Sequence, residues 1–415
     1  MNKVRLGDML TFQRGYDLTH MQMKGGKIPV VGSSEIIGWH DEVKVKSPVL
    51  LIGRSGTVGR PQFYETDVWA HNTTLFVSDF HGNNPKFCFY FLKNLNLEDY
   101  ANSSGVPTLN RNFIHPLIVN FPDIETQTVI ARVLSSLDDK IELNNKINIA
   151  LEDLARTIYE YWFVQNAEKT WEKKKIGEIA ETGSGGTPLS SNKEYYENGN
   201  IAWINSSELN SGYILNAKNF ITEKGLNCSN AKFFPVNSIL IALYGATAGK
   251  VSLLTIPATT NQAICAVMPF SQLHILYLKF YLSNLYNYFI SASSGSARDN
   301  LSQNLVRNLI ITLPPNDNLD KFNKIVAPLI CKIIKNRQES ANLAQLRDFL
   351  LPLLMNGQVT VDEAQDEPTM IPLKSFADSD SKYQTWKEQI GLAARGDIDE
   401  KTLRNIYEAI DENDR

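Results

Sequence analysis

The chain has little of the chemistry that most enzyme and metal sites require. Its 415 residues contain six histidines and four cysteines, Cys88, Cys228, Cys265 and Cys331. No two cysteines are spaced as CxxC, and no histidines form an HxxxH or HExxH pattern. The sequence therefore predicts no metal site, and we interpret the scattered thiols as ordinary buried cysteines of a reducing cytoplasm.

Recognised nucleotide and hydrolase motifs are also absent. The segment GRSGTVGR (53–60) lacks dinucleotide-binding spacing, and YGATAGKV (244–251) is one residue short of a phosphate loop between Gly245 and Gly249. Val251 stands where that loop needs Ser or Thr, and no Gly-x-Ser-x-Gly elbow is present. We therefore predict no catalytic residue, and we expect a chain that binds partners and sets the distance between them.

Long apolar runs and strong charge of one sign are missing as well. No run approaches the roughly 18 residues of a membrane helix, and no secretory leader opens the chain, so we expect a cytoplasmic protein. The net charge is −4, but residues 362–415 hold 14 acidic and 7 basic residues, a net of −7, which leaves +3 elsewhere. This balance permits DNA binding without indicating it.

Most of the chain consists of an internal sequence repeat with two copies. Five pairs of segments recur in the same order, with an offset that drifts from 170 to 192. The pairs are LGD (6–8) with IGE (176–178), IPVVGSSEI (28–36) with IAWINSSEL (201–209), LIGRSGTVGR (51–60) with LIALYGATAGK (240–250), Asn72 with Asn261, and SSGVPTLNRNFIHPLIVNFP (103–122) with SSGSARDNLSQNLVRNLIITLP (293–314). Such a period is too long for a solenoid and predicts two similar globular domains.

Each module ends in a heptad pattern typical of a long helix. The first runs from Ile130 to Trp162 and the second from Leu329 to Leu354, and Pro328 predicts a start or kink of the second helix. The helices either pack on their own domains or pair with each other. We assign nine residues to pairing: Leu137, Ile141, Asn144, Asn148, Leu151, Ile333, Asn336, Ser340 and Leu343.

The polar residues in the two patterns fit either orientation of a helix pair. An antiparallel pair sets Asn144 near Ser340 and Asn148 near Asn336, whereas a parallel pair sets Asn144 against Asn336. The pattern alone does not choose between them.

The candidate partner-binding residues lie in Gly-, Ser- and Asn-rich stretches that we interpret as loops. Basic side chains reach phosphates or guanine edges, and Asn and Gln suit adenine edges. The alternative is that they are ordinary solvated loop residues. The candidates are Arg14, Arg54, Thr57, Arg60, Asn72 and Arg111 in the first module, and Thr187, Lys193, Tyr244, Thr247, Lys250, Asn261, Arg298, Asn300 and Gln303 in the second.

The spacing of the two modules suggests a split target. About 30 residues of helix span roughly 45 Å, and one turn of DNA is about 34 Å. Two recognition modules that have different loops and are held apart by helices would bind a bipartite and asymmetric DNA site.

Six segments within residues 1–361 are distinctive in combination: GSGGTPLSSNKEYYENGNIAWINSSEL (183–209), LIALYGATAGKV (240–251), TTNQAI (259–264), NLIITLPP (308–315), IYEYWFV (158–164) and LRDFLLPLLMNGQVTV (346–361). With these segments, the chain resembles the DNA-specificity subunits of Type I restriction–modification enzymes over about residues 1–361. The resemblance implies an α+β chain with two target recognition domains and an antiparallel coiled coil of two helices, related by a pseudo-two-fold repeat.

The implied domains are 1–123 and 166–315 for recognition, and 124–165 and 316–361 for the helices. The resemblance also implies two modification subunits that carry S-adenosylmethionine, restriction subunits that use ATP and Mg²⁺, and no cofactor on this chain.

Two readings compete with this one. The near-neutral globules also suit a two-headed protein–protein scaffold without DNA specificity. The recognition part of a stand-alone methyltransferase is a third reading, but the missing catalytic motifs leave such a chain incomplete. Residues 362–415 form an acidic extension, partly helical by its pattern, that the resemblance does not explain.

Overall fold

The computed structural model of the chain describes residues 2–102, 107–293 and 301–359. The described residues divide into two compact units, 2–143 with 339–359 and 144–338. Each unit contains one copy of the sequence repeat, and the units are described separately. The candidates Arg298 and Asn300, and the extension at 362–415, lie outside the described residues.

The first unit combines short strands with short helices and the beginning of a long helix. Its strands are β1 (Asn2–Arg5), β2 (Thr11–Arg14), β3 (Ile28–Val31), β4 (Ile36–His40), β5 (Val49–Gly53), β6 (Pro61–Tyr64), β7 (Trp69–Ala70), β8 (Thr74–Asp79) and β9 (Ile118–Phe121). Its helices are α1 (Leu6–Met9), α2 (Pro85–Asn94), α3 (Arg111–Ile114) and the first part of α4 (Ile124–Glu160).

The second unit repeats this plan with additions. Its strands are β10 (Glu172–Lys175), β11 (Ala180–Ser184), β12 (Ile201–Ile204), β13 (Tyr213–Ile214), β14 (Asn219–Ile221), β15 (Phe233–Phe234), β16 (Ile239–Ala242), β17 (Val251–Leu254), β18 (Ala258–Thr260), β19 (Ile264–Pro269) and β20 (Ile310–Leu313). Its helices are α5 (Ile176–Ile179), α6 (Glu223–Asn227), α7 (His274–Asn284), α8 (Tyr286–Ser293), α9 (Gln303–Asn308) and the first part of α10 (Asn316–Met355).

The sheets of the two units have the same strand order. The first unit has an antiparallel sheet β2-β8-β5-β6, a small sheet β4-β3-β7 and a pair β1-β9. The second has β11-β19-β16-β17 extended by β13, β14-β12-β18 extended by β15, and the pair β10-β20. The parallel contact of β3 with β7 recurs as the parallel contact of β12 with β18. The repeat predicted from the sequence is therefore a repeat of fold.

The central strand of each unit is apolar throughout because it lies between two cores. All residues of β5 and of β16 are buried. Leu50 and Ile52 of β5 join the core that includes the helices, while Val49 and Leu51 join the core beneath the small sheet. Successive strand residues point to opposite faces, so an unbroken apolar run satisfies both cores.

The two long helices contribute to both cores. α4 has 37 residues and continues as a π-helical turn at Tyr161–Gln165, and α10 has 40 residues. Ile130 and Leu134 lie in the core of the first unit with Leu351 and Leu354, and Leu151 lies in the core of the second. Among the nine predicted pairing residues, five are buried (Asn144, Asn148, Leu151, Ile333, Asn336) and four are half-buried (Leu137, Ile141, Ser340, Leu343).

Within the first unit the two helix segments run antiparallel. The Arg347 guanidinium lies 2.5 Å from the Asp138 carboxylate, and Lys140 Nζ lies 3.8 Å from Glu339. The partner number on α10 falls as the number on α4 rises. The antiparallel alternative is therefore confirmed here, and the helices pack both on the globule and on each other.

The second unit has the same orientation. Asn336 Nδ2 donates to Asn148 Oδ1 at 3.0 Å, and the Tyr159 ring centroid lies 6.3 Å from that of Phe322. The predicted antiparallel contact of Asn148 with Asn336 is confirmed. Asn144 Nδ2 also donates to the Asn336 carbonyl at 3.4 Å, so Asn336 bonds to two residues one helical turn apart.

Of the two alternatives predicted at Pro328, a helix start or a kink, the start is wrong, and α10 begins where the helix bounds implied by the resemblance begin. The helix begins at Asn316, directly after Pro314 and Pro315, and passes through Pro328. A proline inside a helix removes one backbone hydrogen bond. Val326 and Leu329 on either side of it are buried in the core, and we attribute the continuity of the helix to their packing.

Two of the four cysteines correct the expectation that all are buried. Cys88 and Cys265 are buried, and burial raises the pKa of each thiol to about 12. Cys228 and Cys331 are exposed. All four are free thiols. Within the described ranges, no helix is both long and apolar enough to cross a membrane.

Candidate nucleic-acid interface

A tight turn between β5 and β6 places the first predicted basic residue. The Gly59 N–H donates to the Gly53 carbonyl at 2.9 Å, and the Gly53 N–H donates to the Arg60 carbonyl at 3.2 Å. Gly56 and Gly59 have φ of +86° and +77°. A Cβ on Gly59 would lie 2.6 Å from the Glu98 nitrogen, so only glycine fits there. The turn leaves Arg60 exposed at its end.

The second unit repeats this turn between β16 and β17. The Gly249 N–H donates to the Ala242 carbonyl at 2.9 Å, and the Ala242 N–H donates to the Lys250 carbonyl at 3.0 Å. Gly245 and Gly249 have φ of +87° and +76°. Tyr244 is 49 % exposed beside this turn. Arg60 and Lys250 therefore occupy equivalent positions, as the sequence repeat predicts.

Not every candidate on these turns is available to a partner. Thr57 is exposed, but Thr247 is buried, and its carbonyl accepts the Lys250 N–H at 2.9 Å. The predicted contact through the Thr247 side chain is therefore not supported. Lys250 Nζ lies 4.7 Å from the centroid of the Tyr286 ring, an attraction that orients the ammonium.

Two candidates of the first unit bond to an acidic residue that the sequence did not single out, and a third candidate bonds to one of the two. Arg14 donates to Asp17 at 2.7 Å, and the Asn72 amide also donates to Asp17. Arg54 Nη1 donates to the Asn72 carbonyl at 3.4 Å. The Asn72 hydrogen bond, followed by the charge of Arg14, lowers the pKa of Asp17 below its usual value. Asp17 thus orients Arg14 and Asn72, and its position three residues after Arg14 was the available signal.

The equivalent cluster of the second unit consists of amide and hydroxyl side chains together with one carboxylate, Glu208. Thr187 Oγ1 donates to Gln262 Oε1 at 2.5 Å, and Asn261 Nδ2 donates to Asn205 Oδ1 at 3.2 Å. The Asn205 N–H donates to Glu208 Oε1 at 2.9 Å. The two units therefore present different chemistry from equivalent loops, with arginines in one and amides and hydroxyls in the other.

A glycine permits a close backbone crossing beside each cluster. A Cβ on Gly15 would lie 2.1 Å from the His71 carbonyl oxygen, and one on Gly185 would lie 2.0 Å from that of Thr260. Gly15 and Gly185 are separated by 170 residues, the offset at the start of the sequence repeat.

The remaining candidates lie apart from these clusters. Arg111 is exposed and donates to the Phe12 carbonyl at 3.4 Å. Lys193 is exposed in a short 3₁₀ turn capped by Asn192. The Gln303 amide donates to the Thr182 carbonyl at 2.8 Å, so its N–H group is already hydrogen-bonded within the protein. No group of His, Cys, Asp or Glu in the described part of the chain could hold a metal ion.

The framework of both units is shared with known proteins. The crystal structure of the S subunit of a Type I restriction–modification system from M. genitalium superposes with a TM-score of 0.63 at 18 % identity, covering 87 % of this chain and 96 % of that one. This likeness establishes the fold.

Sequence comparison identifies the family. The specificity subunit of the Type I restriction enzyme HindI from Haemophilus influenzae is 26 % identical over 357 residues, covering 66 % of this chain and 77 % of that protein. The MjaIX specificity subunit from Methanocaldococcus jannaschii is 27 % identical over 306 residues, covering 67 % and 70 %. The family model described as the Type I restriction modification DNA specificity domain matches twice, at residues 1–153 and 168–343, and the chain belongs to this family.

Proposed function

We propose that this chain is the non-catalytic DNA-recognition subunit of a Type I restriction–modification complex. Each globular module reads one half of a bipartite, asymmetric DNA site. The observation that carries the proposal is the duplicated family match, with one match on each module.

The loops support a different target for each module. Arg60 and Lys250 end equivalent turns, while the neighbouring clusters differ in charge and hydrogen-bonding capacity. Basic groups position a protein on phosphates, and base edges are discriminated by the pattern of donors and acceptors. A shared framework with different side chains at its loops suits two unlike half-sites.

The helices set the spacing of the half-sites and dock two modification subunits. The 37 residues of α4 correspond to a length of about 55 Å. Ile149 on α4 and Phe349 on α10 are 64 % and 66 % exposed, which supplies apolar surface for a partner. The modification subunits bind S-adenosylmethionine and methylate adenine. Restriction subunits, with ATP and Mg²⁺, join this core.

The decisive experiment is methylome sequencing of the host with and without the gene, while the modification subunits are expressed. We expect methylated adenine to disappear from one split motif when the gene is deleted, and to return on complementation. Exchanging residues 171–315 for the corresponding module of a relative should change one half-site and leave the other intact.

An unchanged methylome in the presence of expressed modification subunits would contradict the proposal. A methylome that changes without a split motif would do the same. The competing two-headed scaffold predicts that Arg60→Ala and Lys250→Ala leave DNA association by the assembled complex untouched. A weakened association in both variants, with complex assembly intact, would exclude that reading.

A further inference from the structure

An open cavity of about 430 Å³ lies within the second unit. Its walls include α4, the end of the turn at 243–250, and α7. Four charged side chains line it: Glu152 and Arg156 from α4, Lys250 from the turn, and Lys279 from α7. The sequence singled out only Lys250 among them, and the proposed function does not yet account for the others.

The floor of the cavity is a fixed ion pair. Lys279 Nζ lies 2.7 Å from Glu152 Oε1, with only 3 % of the lysine side chain exposed. The same ammonium donates to the Tyr213 hydroxyl at 3.2 Å. Glu152 therefore compensates Lys279 through Oε1.

Two cations of the cavity remain uncompensated. Among the described residues, neither Arg156 nor Lys250 has an ion-pair partner within 4.0 Å. Lys250 is held over the Tyr286 ring, and Arg156 is exposed on its helix. Arg337, beside the cavity, donates to the Ser211 carbonyl and lies 5.0 Å from the Tyr213 ring, which adds a further positive charge. The lining itself holds three cations against one carboxylate, an excess of two, and Arg337 lies beside both Glu152 and Asp153.

The corresponding region of the first unit does not have this excess. There the helix cation is Arg347, whose guanidinium lies 2.5 Å from Asp138 and 2.8 Å from Asp348. Lys93, which lies near Arg60, also faces these two acids. Three cations against two carboxylates leave an excess of one. Among the described residues, the helix cation of the first unit is thus paired with acids, whereas Arg156 of the second unit is not.

We infer that the cavity binds one backbone phosphate of the DNA duplex, between Lys250 and Arg156. This inference rests on the proposed function, because it takes the turn that carries Lys250 to face DNA. An arginine and a lysine suit a phosphate as donors of charge-assisted hydrogen bonds. Lys250 and Arg156 line the same cavity as the buried Glu152–Lys279 pair and have no ion-pair partner of their own, so both are available to one anion.

The test uses the assembled complex with its modification subunits and a duplex that carries its methylated split motif. Lys250→Ala and Arg156→Ala should each weaken binding about tenfold, equally for specific and non-specific DNA. The slope of log K against log salt should fall by about 1 in each. Lys224→Ala is the charge-matched control, since Lys224 is exposed and pairs with Glu194 elsewhere in the same unit.

Neutral methylphosphonate, placed at one phosphate at a time, identifies the contact. One position in the half-site read by residues 171–315 should weaken binding by the parent complex and have no further effect in Lys250→Ala or Arg156→Ala. Lys250→Arg should retain the sensitivity at that position, which separates a lost contact from a misfolded turn.

Several results would overturn the inference. If each substitution and each methylphosphonate weakened binding additively at every position, the two residues would share no phosphate. If both variants kept the affinity and the salt slope of the parent complex, the two residues would contact no phosphate. Loss of complex assembly in Lys250→Ala and Arg156→Ala, with Lys224→Ala assembling normally, would assign the cavity to an acidic side chain of a partner. In each case a parent complex that still discriminates the split motif would leave the proposed function standing.

Discussion

Lys279 keeps a charged group almost fully out of water. Its pKa is lowered from the ordinary lysine value because burial disfavours the ammonium, and Glu152 opposes that shift. A buried ion pair adds little stability compared with apolar residues of similar size, but removal of one partner leaves an uncompensated charge. A single substitution in this pair should therefore cost much more stability than replacement of both residues.

We predict that Glu152→Gln lowers the free energy of unfolding of the second unit by about 3–5 kcal/mol at pH 7. The substitution removes the carboxylate that compensates Lys279 and leaves the ammonium buried. Urea unfolding of the purified chain measures the loss. The matched control is the double variant Glu152→Leu with Lys279→Met, which should recover most of the stability. A parental unfolding free energy in Glu152→Gln would mean that the ammonium is hydrated in solution.

The pH dependence of the same variant follows from the sign of the shift. The folded pKa of Lys279 lies below its unfolded value of about 10.4, so the unfolded chain binds more protons between the two values. Stability then rises with pH across that window. Loss of Glu152 lowers the folded pKa further and widens the window toward neutrality. Glu152→Gln should therefore regain stability between pH 8 and pH 10 more steeply than the parent.

Neither member of this pair could be identified from the sequence. They are separated by 127 residues, and a single lysine on a short apolar helix is indistinguishable from a solvated one until the neighbouring element is known. Asp17 could have been suspected from its position three residues after Arg14, but its contact with Asn72 of another loop is visible only in the fold. Arg60 and Lys250 were identified because the sequence repeat aligns them at equivalent positions of two equivalent turns.

At the scale of elements, Asn336 is the centre of the polar contact between the two helices in the second unit. It is 3 % exposed, its amide donates to Asn148, and its carbonyl accepts from Asn144. The Nδ2 atom of Asn148 is itself buried without a hydrogen-bond partner. Buried amides at core positions cost stability and favour one register of a helix pair.

We predict that Asn336→Leu destabilises the second unit by about 1–3 kcal/mol, because the Asn148 carbonyl oxygen loses its buried donor. The triple variant Asn144→Leu, Asn148→Leu and Asn336→Leu should be more stable than the parent, because no amide is left unpaired. Thermal unfolding of the three proteins gives the comparison. A single variant as stable as the triple one would mean that water reaches the amides.

The heptad pattern predicted both helices and their seam, but not the start of α10. The pattern begins at Leu329, and Pro328 predicted a start or a kink there, whereas the helix implied by the resemblance begins at residue 316. Buried Leu319, Phe322 and Val326 extend the helix toward its N-terminus. Those positions belong to the core of the globule rather than to a seam repeated in the first helix. Proline disfavours the interior of a helix, but here tertiary packing, which the sequence does not show, keeps the helix continuous.

At the scale of the whole molecule, the insertions that disturb the repeat are now located. The offset between copies rises from 173 to about 190 between residues 209 and 240. This stretch holds β13, α6 and β15, which have no counterpart in the first unit. The drift in the sequence is therefore the addition of edge elements to a conserved strand order. The parallel contact of β3 with β7 was not predictable, because β7 has only two residues.

The acidic extension changes the charge of the whole chain and gives the last prediction. Residues 362–415 carry a net charge of −7, and the rest of the chain carries +3. Negative charge attached to a protein that approaches DNA opposes the approach, and salt screens this repulsion. Truncation after residue 361 should therefore strengthen binding to a duplex without the motif, by roughly threefold to tenfold at 0.05 M salt.

The gain should vanish above about 0.3 M salt, where screening is short-ranged. Two further chains separate charge from shape: one with the acidic residues of the extension replaced by their amides, and one with its sequence scrambled at constant charge. The amide chain should behave as the truncation and the scrambled chain as the parent. Two results together would contradict the role of charge: the amide chain binds non-specific DNA as weakly as the parent, and truncation and scrambling both prevent complex assembly. The extension would then act on a partner through its own sequence, and its charge would not matter.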